Sequence, residues 1–351
     1  MNNKLTKKQQ ILIGVFITLS VLFATFFFYF YQLLFSPNFK VEKDDYYLLI
    51  PTGAKYITVV DSLRKNKILD DELSFNFLAK IMGYQDHVIP GRYLIGRKMN
   101  NSTLIRILRS GKQTELSLVF NSARLKKEIA SRLCKNLEAD STQFLNLIND
   151  PETCKKYGFD TTNIMCMFIP NTYKIYWNTD AEDLLKRMNK EYLDFWTEEK
   201  IKKAKEIGFS PIQVSILASI VGSETNKNDE KPRIAGVYIN RMKSAETGFK
   251  LQADPTVIYG LKDFTIKRVT RNHLLSNTPY NTYLIKGLPP GPINTPGIAS
   301  IDAVLNFEKN DFLYFVVKSD FSGYHVFSNN YQEHLQNARL YWEALNLRKI
   351  K

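Results

Sequence analysis

The sequence predicts an α+β protein: a single N-terminal transmembrane helix, a small α/β module, and a mixed, mainly helical domain with a late β-hairpin. Three observations predict this class. Residues 11–35 carry Ile, Leu, Val and Phe throughout and no charged side chain. Short strand and helix patterns alternate over residues 40–120. From residue 122 onward 3.6-residue periodicity dominates, until runs at 312–317 and 324–327 flank a turn-forming stretch at 319–323. The expected organisation is a cytoplasmic tail (1–10), a membrane helix (11–35), a membrane-proximal module (40–120) and a larger domain (121–351).

As a helix, the apolar run reaches about 35 Å at ~1.5 Å per residue, enough to cross a hydrocarbon core of ~30 Å. A cleaved signal peptide has a shorter apolar region, ~7–15 residues, closing on small residues. Here the run ends in Tyr31, Gln32, Leu33, Leu34 and Phe35, with no small-x-small site and no cysteine placed for lipoprotein processing. An uncleaved anchor is expected. Lys4, Lys7 and Lys8 precede it without acids, whereas Lys40 and Lys43 beyond it mix with Glu42, Asp44 and Asp45. The positive-inside rule then leaves the N-terminus in the cytoplasm and the body outside the cell (inner) membrane. Tyr29 and Tyr31 fall near the outer interface.

In the module, residues 46–50 read as a strand ended by Pro51-Thr52-Gly53. Residues 58–63 and 72–82 read as helices, and 89–95 as a strand containing Gly91-Arg92-Tyr93. Asn101 or Ser102 can cap a helix through Leu108 that Gly111 stops, and 116–120 form a closing strand. No repeat, low-complexity tract or Pro/Ser linker interrupts the chain. A final helix is expected over 330–347.

Composition narrows the function. A formal charge of +13 over 351 residues favours anionic partners. Nucleic acid is the weaker of these, because the basic residues are scattered and no recognition helix, zinc finger or aromatic RNA-binding signature is present. Cys134, Cys154 and Cys166 form no C-x-x-C pair; their odd number leaves either one bridge or buried free thiols. The four histidines (His87, His273, His325, His334) make no ligand set, so neither a metal nor another cofactor is expected.

The residue with the clearest chemical promise is Glu224. Ser210-Pro211-Ile212-Gln213 starts a helix with a capping box and proline at the first helical position. Ile216, Leu217, Ile220 and Val221 follow, and Glu224 lies on the same face at i+4 from Ile220 and i+7 from Leu217. A carboxylate at the end of an apolar stripe is partly desolvated, which raises its pKa as a general acid requires. On spacing alone a solvated or salt-bridged surface glutamate, partnered by Lys227 or Arg233, is the commoner case. A second helix is expected over 232–242. Asp254 can cap a short helix begun by Pro255 and ended by Gly260. The Pro- and Gly-rich stretch 287–297 can wall a groove or serve as a rigid connector.

These residues carry a resemblance. Leu217-Ala218-Ser219-Ile220-Val221 with Glu224-Thr225, Val237-Tyr238-Ile239-Asn240-Arg241, and the blocks at 251–260, 280–283 and 287–291 resemble the endolytic murein transglycosylases, the MltG or YceG-like proteins. Gly91-Arg92-Tyr93 and the Ser110-Gly111 helix stop resemble that family's membrane-proximal LysM-like module, and Phe168-Ile169-Pro170-x-Thr172-Tyr173 its Phe/Pro/Thr/Tyr block. The resemblance spans nearly the whole chain. It implies a lyase that cuts the MurNAc-β-1,4-GlcNAc bond of nascent peptidoglycan without water, leaving 1,6-anhydro ends, in cell-wall biogenesis. The second acid of the family's Glu-x-Glu-Thr motif aligns with Glu224 as the catalytic acid/base; the first is replaced by Gly222.

Gln252, Asp254, Thr256 and Asn281, with Thr225, are the candidates for holding sugars or orienting Glu224, although Asp254 as a mere helix cap fits equally. The implied partners are glycan strands and the bilayer, with peptidoglycan synthesis proteins as candidates and no nucleic acid. Two rivals stand beside this reading. One is a hydrolytic muramidase using Asp254 as base, and the other a membrane-tethered wall-binding scaffold without catalysis.

Overall fold

The computed structural model describes residues 6–41 and 46–347. Of the flanking charges, Lys4, Glu42, Lys43, Asp44 and Asp45 lie outside the described residues. The chain divides into two compact units. One runs to Ser117 and takes in Asn136–Glu138 and Lys174–Thr179; the other holds Leu118–Lys135, Ala139–Tyr173 and the chain from Asp180 on.

The first unit begins with α1 (Lys7–Phe35), opened by a Thr6/Gln9 capping box. Its apolar side chains are exposed along most of its length, and the Thr18 and Thr25 hydroxyls are satisfied by the carbonyls of Gly14 and Val21, which leaves α1 consistent with a membrane anchor. Only its last turn buries a side chain, Leu33, in the core of the unit. There follow β1 (Tyr46–Ile50), α2 (Tyr56–Lys65), α3 (Glu72–Ile81), β2 (Gly91–Ile95) and α4 (Asn101–Ser110). The two strands pair antiparallel with Leu48 opposite Tyr93 and Ile50 opposite Gly91. Strand alternation then puts Leu48, Ile50, Tyr93 and Ile95 on one buried face, against Leu63, Phe75 and Leu104 from the helices.

Helix α4 differs from expectation at its start. Its cap is Asn100, whose side chain accepts from the Thr103 N–H, while Asn101 and Ser102 are buried inside the first turn. The reason is tertiary: Asn101 Oδ1 accepts from Asn38 Nδ2 at 2.8 Å and is unavailable to its own helix. Gly111 does stop the helix, in the left-handed region at φ 65°.

The second unit is mainly helical. After β3 (Leu116–Phe120) come α5 (Lys126–Leu133), α6 (Ser141–Leu147), α7 (Pro151–Lys156), β4 (Asn171–Ile175), α8 (Ala181–Phe195) and α9 (Glu198–Glu206). Strand β3 pairs with β4. Cys134, Cys154 and Cys166 are buried free thiols. The centre of the unit is α10 (Pro211–Glu224), packed against α11 (Lys231–Lys243), α12 (Asp254–Leu261) and, beyond α13 (Arg271–Leu274), α14 (Ile298–Leu305). A hairpin of β5 (Tyr314–Val317) and β6 (His325–Ser328) precedes α15 (Tyr331–Leu347).

Helix α10 has the expected capping box and N1 proline. It is not, however, a helix with one apolar stripe. Every residue from Val214 to Val221 is buried, including Ser215 and Ser219, whose hydroxyls return to the Pro211 and Ile216 carbonyls. The serines sit where the stripe pattern reads polar, and local hydrogen bonds let them go inside.

Candidate active site

Glu224 is the last residue of α10, where the rod of buried helix meets a cavity. Four further segments converge there. Helix α11 brings Tyr238 and Arg241, one turn apart on one face. The entry to α12 brings Leu251, Gln252 and Asp254. Tyr283 comes from the following loop, and Leu313, Tyr314, Phe315 and His334 come from the hairpin and α15. The cavity, open to solvent, has a volume of about 280 Å³.

Within it, the Tyr238 hydroxyl donates to Glu224 Oε1 at 2.5 Å, and the Tyr238 ring is held edge-on by Phe315, with centroids 5.8 Å apart. One carboxyl oxygen is thereby fixed on the protein. Burial pushes the Glu224 carboxyl from 4.5 up to about 7; the charge of nearby Asp254 adds to the rise, and the Tyr238 hydrogen bond opposes it. Its place at the carbonyl end of α10 also disfavours a negative charge. Burial and the neighbouring Glu224 keep the Tyr238 phenol protonated. At neutral pH the site therefore holds a carboxyl group that exchanges a proton readily, with a phenol that does not.

Arg241 is the second fixed element. It is buried, and its guanidinium donates to the carbonyls of Lys250 (3.1 Å) and Leu313 (2.8 Å) and to Gln252 Oε1. Gln252 in turn occupies the left-handed region at φ 55°, with its N–H on the Thr282 carbonyl. A non-glycine residue held there by hydrogen bonds on both sides is backbone strain stored beside the cavity.

The candidate residues separate into two groups. Glu224, Gln252 and Asp254 share the cavity. Asp254 is not a cap: Ala253 precedes α12 and makes no side-chain cap bond, and Asp254, the first helical residue, accepts from the Tyr283 hydroxyl at 2.6 Å. Nor does Gly260 end that helix, which runs to Leu261 and closes at Lys262 with φ 57°. Thr225, Thr256 and Asn281 are buried and do not line the cavity. The Thr256 hydroxyl donates to the Ala253 carbonyl. Asn281 Nδ2 donates to the carbonyls of Leu274 and Ser276, and its Oδ1 receives the Tyr283 N–H. Thr225 accepts from the Lys227 N–H. Thr256 and Asn281 brace the segments that carry Asp254 and Tyr283.

Tyr238, Arg241, Tyr283, Tyr314, Phe315 and His334 were not anticipated as site residues. A signal existed for the first two, which stand three apart in one helical block with a glutamate end nearby, but nothing local marks the hairpin and α15 residues. Gly222 lies away from the cavity, where an added Cβ would stand 2.7 Å from Ser300 Oγ. Among the described residues, no group of three or more His, Cys, Asp or Glu side chains could hold a metal ion.

The sequence that builds this site matches the model of the YceG-like family over residues 48–340. The chain belongs to that family. An endolytic murein transglycosylase of Bacillus subtilis is 28% identical over 341 residues, covering 89% of both chains. One of Streptococcus pneumoniae D39 is 24% identical, covering 82% of this chain and 57% of its own. The crystal structure of a YceG-like protein of Listeria monocytogenes superposes with a TM-score of 0.54 at 26% identity, over 84% of this chain and 99% of that one.

Proposed function

We propose that this chain is a membrane-anchored endolytic murein transglycosylase in which Glu224 is the acid and then the base. The observation that carries the reading is the Glu224 carboxyl, pushed to about 7 in a cavity whose other groups fix only one of its oxygens. Protonated, it donates to the glycosidic oxygen as the C1–O bond of MurNAc breaks, and the bond's electron pair leaves with that oxygen. The carboxylate so formed takes the proton from the MurNAc C6 hydroxyl, whose oxygen closes on C1 to give the 1,6-anhydro end. Glu224 is protonated again and no water is consumed. One carboxyl group suffices because the substrate supplies the nucleophile, whereas a conventional glycosidase requires two. The names of the relatives support the same activity.

In this reading α1 anchors the chain with the N-terminus in the cytoplasm and tethers the extracytoplasmic site near the membrane, where nascent glycan strands emerge. Residues 40–120 form a LysM-like module, a reading supported by the strand–helix–helix–strand order over 46–95. Gln252 and Asp254 contact the sugars. Asp254 in the same cavity also gives the hydrolytic alternative a concrete base. Mass analysis of cleaved strands separates the two: the account expects anhydro ends, and products heavier by one water would make the chain a muramidase.

A further inference from the structure

A second, larger cavity, about 690 Å³, is lined by sequence neighbours of residues that line the first. Consecutive residues line the two: Glu224 and Asp254 face the first, while Ser223 and Pro255 line the second. One residue's length of backbone, ~3.8 Å, is all that separates these lining positions. The two cavities thus open on either side of the same α10 and α12 backbone, within reach of a substituent on a polymer seated at Glu224. Its volume falls in the range of ligand sites, ~300–1,000 Å³.

Its lining is chemically divided. Ile258, Ile266 and Ile293 supply apolar lining. Opposite in character is Arg124, an exposed side chain whose guanidinium rests 5.2 Å over the Phe264 ring. Among the described residues it has no carboxylate partner. The neighbouring acid, Glu128, is already used: it accepts from the Arg124 backbone N–H at 3.0 Å and pairs with Arg132 at 3.5 Å. Arg132 is likewise committed, donating to the Asn121 and Ser122 carbonyls. The cavity thus offers one guanidinium, braced by an aromatic face, to an incoming carboxylate beside surface suited to small alkyl groups.

An unbranched neutral sugar chain has no carboxylate to give that guanidinium. A glycan whose sugars carry short acidic peptides with small apolar side chains does. We propose that the second cavity is the subsite for the peptide branch of the substrate, with Arg124 reading its carboxylate. The inference rests on the transglycosylase reading and deepens it.

The test compares the full-length protein with Arg124→Gln on two substrates: glycan strands bearing their peptides, and the same strands stripped by an amidase. On peptide-bearing strands the variant should lose about tenfold in kcat/KM, mainly through KM, one charge-assisted contact being worth roughly that factor. On stripped strands the variant and the parent should be equal. Equal losses on both substrates, or no loss on either, would overturn the subsite while leaving the transglycosylase reading intact. Failure of the parent protein to cleave either substrate would remove that reading, and the subsite with it.

Discussion

The proposed chemistry turns on individual atoms around Glu224. A carboxyl group ionises near pH 4.5 in water; here burial holds it protonated to about 7. As a general acid it is competent below that value, so activity should fall as pH rises through about 7. Tyr238 works against the rise by stabilising the carboxylate through its hydroxyl. Replacing Tyr238 with Phe removes that stabilisation, and the alkaline limb of the pH–rate profile should move to higher pH. A limb that stays in place, or moves down, would mean that the hydrogen bond does not set the acidity. Asp254 shows how a residue is misread at this scale. A proline after an acid reads as a capped helix start, yet the helix begins one residue earlier and the Tyr283 hydroxyl takes the side chain.

At the scale of elements, the site depends on how closely α11 approaches the segment ahead of the hairpin. A Cβ added at Gly236 would lie 2.4 Å from the Glu308 carbonyl oxygen. That segment is also tied to α11 by Asn240, which donates to the Asn310 and Phe312 carbonyls. The hairpin itself is pinned by buried Glu230, which receives the His325 N–H at 2.7 Å and meets its ring nitrogen at 2.8 Å. Helix propensity alone favours Gly236→Ala by ~1 kcal/mol. Overpacking against immovable backbone costs ~1–3 kcal/mol or more. The variant should therefore lower Tm by roughly 2–8 °C, and lower activity too, because Leu313, Tyr314 and Phe315 shift with the segment. An unchanged or higher Tm would show that the approach is looser.

What could be read from sequence follows the range of each interaction. The caps of α10 (Ser210, Pro211, Gln213) are set within four residues and were legible. So was the Gly111 stop. The start of α4 was not, since Asn100, Asn101 and Ser102 can all cap and only Asn38, far back in the chain, selects among them. The cavity wall is legible only in part for the same reason: Phe315 and His334 reach Glu224 from about a hundred residues away. All-round burial of α10 was hidden because Ser215 and Ser219 mimic a polar face.

Over the whole molecule, α1 combines two features that a deletion can separate. Its exposed apolar length suits a bilayer, while Leu33 in its last turn belongs to the core of the first unit. Removing residues 1–30 should release the protein from membranes with Tm unchanged. Removing residues 1–36 should also release it, but at a lower Tm, since burying one leucine is worth ~1.5–3 kcal/mol. Membrane association that survives the first deletion would show that another surface holds the bilayer.

The central claim is that a single half-dry carboxyl does the chemistry, and Glu224→Gln tests it most directly. Gln retains an acceptor for Tyr238 and cannot give up a proton. Between pH 4.5 and about 7 the folded state binds the Glu224 proton more strongly than the unfolded chain does, so this residue costs stability increasingly as pH rises through that window. Strand cleavage and melting should be measured together at pH 7. Cleavage should fall by about 10²–10⁴-fold while Tm holds or rises. Cleavage that persists, or that is lost only because the variant unfolds, would contradict the account.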